Sequence, residues 1–368
     1  MKTAILAVTM LALGSPSYAQ FGGVLDRAKQ VKDTKDKIDE LNITDEEERK
    51  IGEDVSVKVR ARFGVVQDPA ITKYVSLVGT NIARQTERPA LQWTFIVLDT
   101  DGVNAFASPG GFVHITRGAL GLISNEAELA GVLAHEIGHV AHKHTINAIK
   151  KNKAVQMGTN ATLADRGPFL ANMANKTYEM VLENSFDRGD ELDADKASVT
   201  YTKKVGYASG TLADFLTRLD DRNKDQPARN GLFASHPETK ERIEKIRQMA
   251  GKGGAIVEAR YKEHIKYTPT PITSVAVVAD GASGLTGSTA PAKDKDADKK
   301  DDPPKKKGFG LSALKPGTAQ ESKSAQVSAS GGARGVGPDR AAKGGSNPAL
   351  VKVTVTDAEI DAFKKGIA

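Results

Sequence analysis

Residues 133–144 read LAHEIGHVAHKH and hold four of the seven histidines in this 368-residue chain. His135 and His139 are four residues apart, so on a helix they stand one turn above each other and can turn two ring nitrogens toward one metal ion. Glu136 falls just to the side of that pair. This is the spacing of a zinc hydrolase, in which a glutamate takes a proton from a metal-activated water.

The flanking sequence supports a helix. Ser124 or Asn125 can start it, with Glu128 placed to complete a capping box with Asn125. Leu129, Val132, Leu133 and Val140 form an apolar stripe beside the histidine face, so the metal side borders the core. Upstream, QWTFIVLDT (92–100) reads as a strand. NAFASPGGFVHITRGAL (104–120) gives two more extended pieces around Pro109, Gly110 and Gly111, which predicts a small antiparallel sheet. Thr44, followed by an acidic turn, caps a helix that opens the continuously globular part of the chain. Residues 145–182 read as further helix with a break around 166–169.

A catalytic zinc needs a third protein ligand and an open position. The stretch DRGDELDAD (187–195) sets Glu191 and Asp195 four apart on one helical face. Glu191 can supply the ligand, and Asp195 can accept the outer N–H of a zinc-bound histidine and fix its tautomer. The metzincin pattern fails, because Thr145 and His142 stand where it needs a histidine and a glycine. His142 and His144 are expected at a polar helix end or supporting the site, and His114 and His264 in ordinary strand or surface roles.

The two ends differ from the middle. Residues 1–19 carry Lys2, an apolar run from Ala4 to Leu13, and Ser17 and Ala19 at signal-peptidase spacing, so they predict a cleaved signal peptide. Residues 20–43 predict an amphipathic arm, with Val24, Val31 and Ile38 seven apart. After the 44–266 domain, residues 267–349 are rich in Pro, Gly, Ala, Ser, Lys and Asp and predict a disordered linker. Residues 350–368 predict a short strand and a helix capped by Thr356 and Glu359. The chain has no cysteine, a net charge of +6 and, after the signal, no apolar run long enough to span a bilayer. These features suit an exported, disulfide-free protein with at most peripheral membrane contact and no nucleic-acid partner.

Four segments in order, NAFASPGG (104–111), HEIGH (135–139), ELDAD (191–195) and SHPETKERI (235–243), resemble the successive motifs of the CAAX-prenyl-protease/HtpX-type zinc metallopeptidases, a gluzincin family. The resemblance covers roughly residues 45–266. It implies an α+β zincin-like domain, mostly helical with a small sheet, and one zinc per chain serving endopeptidase chemistry. It further implies that the strand at Asn104, Ala105, Phe106 and Ala107 borders the substrate cleft and can pair with an extended chain. His236 resembles a histidine that stabilises the oxyanion or fills the fourth metal position in a latent state. Arg242 resembles an arginine that steadies the glutamate ligand. From the residues alone, Ser235 or His236 before Pro237 reads as a helix start with proline in its first turn, and Arg242 as a surface charge.

The integral members have membrane helices that this sequence lacks, so the soluble, exported subgroup is the nearer likeness. The leading expectation is a periplasmic, or else secreted, zinc metalloendopeptidase acting on unfolded or misassembled envelope proteins. In it His135, His139 and Glu191 hold the metal and Glu136 and His236 act on substrate. Two other readings stay open: a latent zinc-containing factor that holds extended chains without cleaving them, and an envelope-binding protein working through its basic arm and tail. Neither has a use for Glu136.

Overall fold

A computed structural model describes residues 43–151, 166–183, 186–224, 236, 239–271 and 347–367. The predicted signal peptide, nearly all of the amphipathic arm and most of the low-complexity linker lie outside the described residues. Beyond Ile43, everything described belongs to one unit, Thr44–Ala368.

Helix α1 (Asp45–Phe63) begins at the expected Thr44 cap, which forms a capping box with Glu47, and α2 (Pro69–Ala83) starts on Asp68 with proline in its first turn. Strands β1 (Thr94–Leu98), β2 (Ala105–Ser108) and β3 (Phe112–Thr116) follow, then α3 (Arg117–Leu122) and the histidine helix α4 (Glu126–Ala141). The remaining elements are α5 (His144–Lys151), α6 (Arg166–Glu183), α7 (Arg188–Val205), α8 (Thr211–Asn223), α9 (Thr239–Met249), α10 (Glu258–His264) and α11 (Asp357–Lys364). The fold is α+β and mostly helical.

The sheet differs from the antiparallel one predicted. Its order is β1-β3-β2; β2 and β3 form the expected antiparallel hairpin, but β1 pairs with β3 in parallel, Thr94 opposite Phe112 through Leu98 opposite Thr116. The reason lies in the connection between β1 and β2, which crosses the end of β3 instead of turning back beside β1. Thr116 ties it down: its Oγ1 accepts the Asn104 N–H at 3.0 Å and the Ala119 N–H at 3.1 Å, joining the crossing to the start of α3. Gly110, at φ 70°, makes the hairpin turn and donates its N–H to Glu48 of α1 at 3.0 Å.

Two smaller expectations also change. Residues 166–169 are the first turn of α6, where Pro168 costs no intrahelical hydrogen bond, and not a break within a helix. Near the C-terminus α11 forms with its Thr356–Glu359 capping box, whereas residues 350–356 are not a strand. Their backbone and that of the residues just before are held by side chains of α1, α2 and the segment between them. Arg60 donates to Pro348 O, Gln67 to Ala349 O and Lys73 to Thr354 O, which leaves no neighbouring strand to pair with. Ile360, Phe363 and Ile367 are buried, and Arg260 lies 4.0 Å over the Phe363 ring, so α11 is part of the main packing unit.

Helix α4 runs through the middle of the core with every residue buried. Its principal neighbour is α7, and Gly138 sets the distance between them: a Cβ there would come within 2.9 Å of the Ala197 Cβ. Ser198 adds a hydrogen bond from α7 to Gly131 O at 2.8 Å.

His114 on β3 is fully buried, against Ser56 Oγ at 3.0 Å and stacked on Phe106 at 5.0 Å. Burial pushes its pKa down to about 3. An unfolded chain takes up a proton there below about pH 6.5 that the folded chain refuses until about pH 3, so the stability this site contributes is lost progressively as pH falls through that window. Urea unfolding of native protein from pH 7 to 4 should show this loss, at up to roughly 1.4 kcal/mol per pH unit from this residue. His114→Asn should have a shallower acid slope; an unchanged slope would remove His114 as the cause.

Candidate metal centre

The turn spacing within α4 and α7 carries into space as two facing pairs. His135 and His139 point their Nε2 atoms at each other across 3.1 Å, and Glu191 reaches between them, its oxygens 3.6 Å from His135 Nε2 and 3.5 Å from His139 Nε2. His236, carried by the segment before α9, brings its Nδ1 to 2.7 Å from Glu191 Oε1 and 3.3 Å from His135 Nε2. One ligand atom from each of the four residues lies within 4.8 Å of the others, and all four are buried.

This donor set suits a metal ion. Four donors at bonds of 2.0–2.1 Å in a tetrahedron are about 3.3–3.4 Å apart, close to the separations seen. Asp195 Oδ1 lies 2.9 Å from His135 Nδ1, which draws the ring proton to that side and leaves the Nε2 lone pair facing the cluster.

Arg242, from α9, neutralises the acidic side. Its Nε and Nη2 donate to the two oxygens of Asp195 at 2.8 and 2.7 Å, and its Nη1 stands 2.7 Å from Glu191 Oε2. Nη1 also donates to His236 O at 3.2 Å, so one guanidinium grips both α7 carboxylates and the His236 backbone. Burial alone would raise the Glu191 pKa, but His236 and Arg242 hold it well below the usual carboxylate range. Asp195 behaves alike, burial being outweighed by its hydrogen bonds from Arg242. Burial drives His139 far down, keeping it neutral, and lifts Glu136. Burial would also lower His236, but the Glu191 and Glu136 charges outweigh it and raise it.

Glu136 stays outside the donor cluster. Its Oε1 is 3.6 Å from His236 Nε2, and together with His135, Arg242, Val132, Leu212 and Leu216 these residues line a cavity with room for about one water.

Residues 69–250 match peptidase family M48. The chain belongs to that family. Among its relatives are a beta-barrel assembly-enhancing protease of Yersinia pestis, 25% identical over 56% of this chain and 44% of its own length, and metalloprotease YcaL of Escherichia coli, 30% identical over 42% of this chain and 61% of its own. The mitochondrial metalloendopeptidase OMA1 of Schizosaccharomyces pombe is 26% identical over 55% of this chain and 60% of its own length. The chain thus spans less than half of the Yersinia relative.

Of the residues singled out in the sequence, the structure brings His135, Glu136, His139, Glu191, Asp195, His236 and Arg242 into one buried group. The stretch from Asn104 through Ala105 and Phe106 to Ala107 is not among the donors or the cavity lining: Asn104 is half-buried just before β2, and Ala105 to Ala107 belong to β2, which among the described residues has β3 as its single strand neighbour and packs against α4 and α6. Glu128 caps α4 differently from the box expected, accepting from Ser124 N at 2.9 Å while Asn125 takes the Glu128 N–H. One neighbour of the cluster was missed: Phe186 stacks on His139 at 4.0 Å, and an aromatic residue just before an acidic helix start carries no distinguishing signal. His144, expected at a polar helix end or supporting the site, stands beside the cluster with its Nδ1 3.0 Å from His139 Nδ1, although helical periodicity alone puts it off the histidine face.

Removing Arg242 should expose its structural load. Arg242→Leu leaves two buried carboxylates without their cation, and urea unfolding of the metal-free protein should show a loss of about 3–5 kcal/mol. A loss under about 1 kcal/mol would mean that the guanidinium adds little to balancing these charges.

Proposed function

We propose that this M48 chain is a zinc metalloendopeptidase of the cell envelope, exported to the periplasm, that hydrolyses peptide bonds in unfolded or misassembled envelope proteins. The observation that carries the reading is Glu136: a buried carboxylate of raised pKa that shares a water-sized cavity with the donor cluster without belonging to it. A purely structural metal site has no use for such a group.

His135, His139 and Glu191 would hold one zinc, with Asp195 fixing the His135 ring and Arg242 fixing Glu191 and Asp195. When bound, zinc supplies Lewis acidity toward the scissile carbonyl and the attacking water. Glu136 takes the water's proton and passes it to the leaving amine; its raised pKa suits it to carry that proton between the two steps. His236, with Nε2 facing Glu136, can donate to the developing oxyanion.

The beta-barrel assembly-enhancing protease named among the relatives supports an envelope polypeptide as substrate, and the absence of cysteine suits an oxidising compartment. No helix among the described residues is long and apolar enough to cross a membrane, which agrees with at most peripheral association.

A second reading, a latent factor that holds extended chains with little cleavage, draws on one observation. His236 Nδ1 stands among the metal donors, beside a cavity with room for about one water. An imidazole in the fourth position blocks the water that hydrolysis needs.

The test is cleavage of an unfolded envelope protein together with zinc content. Native chain should hold about one zinc, and Glu136→Gln should keep zinc and fold while losing turnover by orders of magnitude. Unchanged turnover there would sink the peptidase mechanism. Under latency His236→Ala raises basal proteolysis; if His236 serves only the oxyanion, the same change costs about 10²–10³ in turnover.

A further inference from the structure

We propose that His144 is a positioning residue for the metal centre: its Nδ1 accepts the Nδ1–H of His139, and Asp193 holds it in the tautomer that can do so. The inference rests on the metal-site reading above and assigns a role to a residue that reading leaves unused.

His139 faces the cluster with Nε2, so as a metal ligand it carries its ring proton on Nδ1. The atom waiting there, at 3.0 Å, is His144 Nδ1. Both rings are buried, and a buried N–H needs an acceptor. His144 Nδ1 must then be bare, which places its own proton on Nε2. That nitrogen lies 3.2 Å from Asp193 Oδ2, with Asp190 Oδ1 at 3.9 Å. Every link has a donor facing an acceptor. Asp193 Oδ2 also contacts His142 Nδ1, and Tyr201 Oη is 3.2 Å from His142 Nε2, so the carboxylate is itself held from two sides.

The backbone makes the meeting possible. On an unbroken helix a residue five beyond His139 would lie about 140° around the axis. Instead α4 ends at Ala141 and Lys143 adopts φ 58°, a left-handed conformation unusual for a non-glycine residue. The turn swings His144 back beside His139 before α5 begins.

His142, His144 and Asp193 also bring three donor atoms within reach of one ion. A loaded first centre argues against a second ion there, because His144 Nε2 then carries the proton and has no lone pair for a metal. His135 and His139 are thus held on their outer nitrogens by different partners, a carboxylate for one and a neutral imidazole for the other.

The experiment measures zinc affinity by chelator competition, and zinc stoichiometry, on the full chain. His144→Leu keeps bulk but removes the acceptor and should weaken zinc binding 10–100-fold. His144→Asn puts an amide oxygen near the place of Nδ1 and should restore affinity to within a few-fold of native. Asp193→Ala, at a half-exposed position that should not impair folding, should weaken zinc in the same direction and serves if His144→Leu does not fold. Native affinity in both His144→Leu and Asp193→Ala overturns the proposal. So does His144→Asn as weak as His144→Leu, which would show that the ring serves only as bulk, or a second zinc bound by native chain and lost in His144→Leu. A native chain that binds no zinc would instead overturn the metal-site reading itself.

Discussion

The close approach of α4 and α7 at Gly138 is the constraint on which the centre depends. Histidine and glutamate side chains are short compared with the 8–10 Å between ordinarily packed helices. For His135, His139 and Glu191 to converge, the backbones between them must carry almost nothing, and Gly138 opposite Ala194 and Ala197 meets that need. The i, i+4 pair on each helix then faces its counterpart directly. Ser198, bonded to Gly131 two turns away, fixes the register so that Glu191 meets the metal side of the pair and Asp195 the outer nitrogen of His135.

That approach creates an electrostatic cost that α9 offsets. Two carboxylates, both nearly inaccessible to water, lie on successive turns of one helix. Isolated, they would hold their protons, and a protonated glutamate is a poor metal ligand. Arg242 reaches both and is itself buried, so the three groups satisfy one another in a place where none could remain charged alone. The same guanidinium holds the His236 carbonyl. The segment that brings in the fourth donor is therefore anchored by the residue that keeps the third one ionised.

The central part of the site was legible in the sequence because helical periodicity is rigid. Once α4 and α7 are helices, spacing of four puts His135 over His139 and Glu191 over Asp195 whatever surrounds them. Arg242 and His236 were not legible from spacing, since they come from a different segment and only the family resemblance marked them. For His144 a supporting place was one of two open readings, and its contact with His139 was not legible for another reason: its position follows from one left-handed lysine, and lysine does not announce such a turn as glycine or asparagine would. The sheet shows the same division. The hairpin at Pro109 to Gly111 was readable from its turn residues, but the insertion of β3 between β1 and β2 is a tertiary choice that local pattern does not encode.

Helix α11 extends the argument to the size of the folding unit. Its cap and amphipathic pattern were visible as a local helix, yet its ion-pair partners lie almost 300 residues away in sequence. Lys73 meets Glu359 at 2.8 Å, and Arg84 pairs with Asp357. Such half-exposed ion pairs contribute little individually, so they orient the helix more than they hold it. The burial of Ile360, Phe363 and Ile367 supplies the adhesion. Arg260 connects this edge to the interior: it covers Phe363 and donates to buried Glu126, which also accepts from the hydroxyls of Tyr74 at 2.8 Å and Tyr207. Glu126 is the first residue of α4. The docking of the last helix and the start of the histidine helix therefore share one charge network, which makes α11 a brace on the element that carries the site.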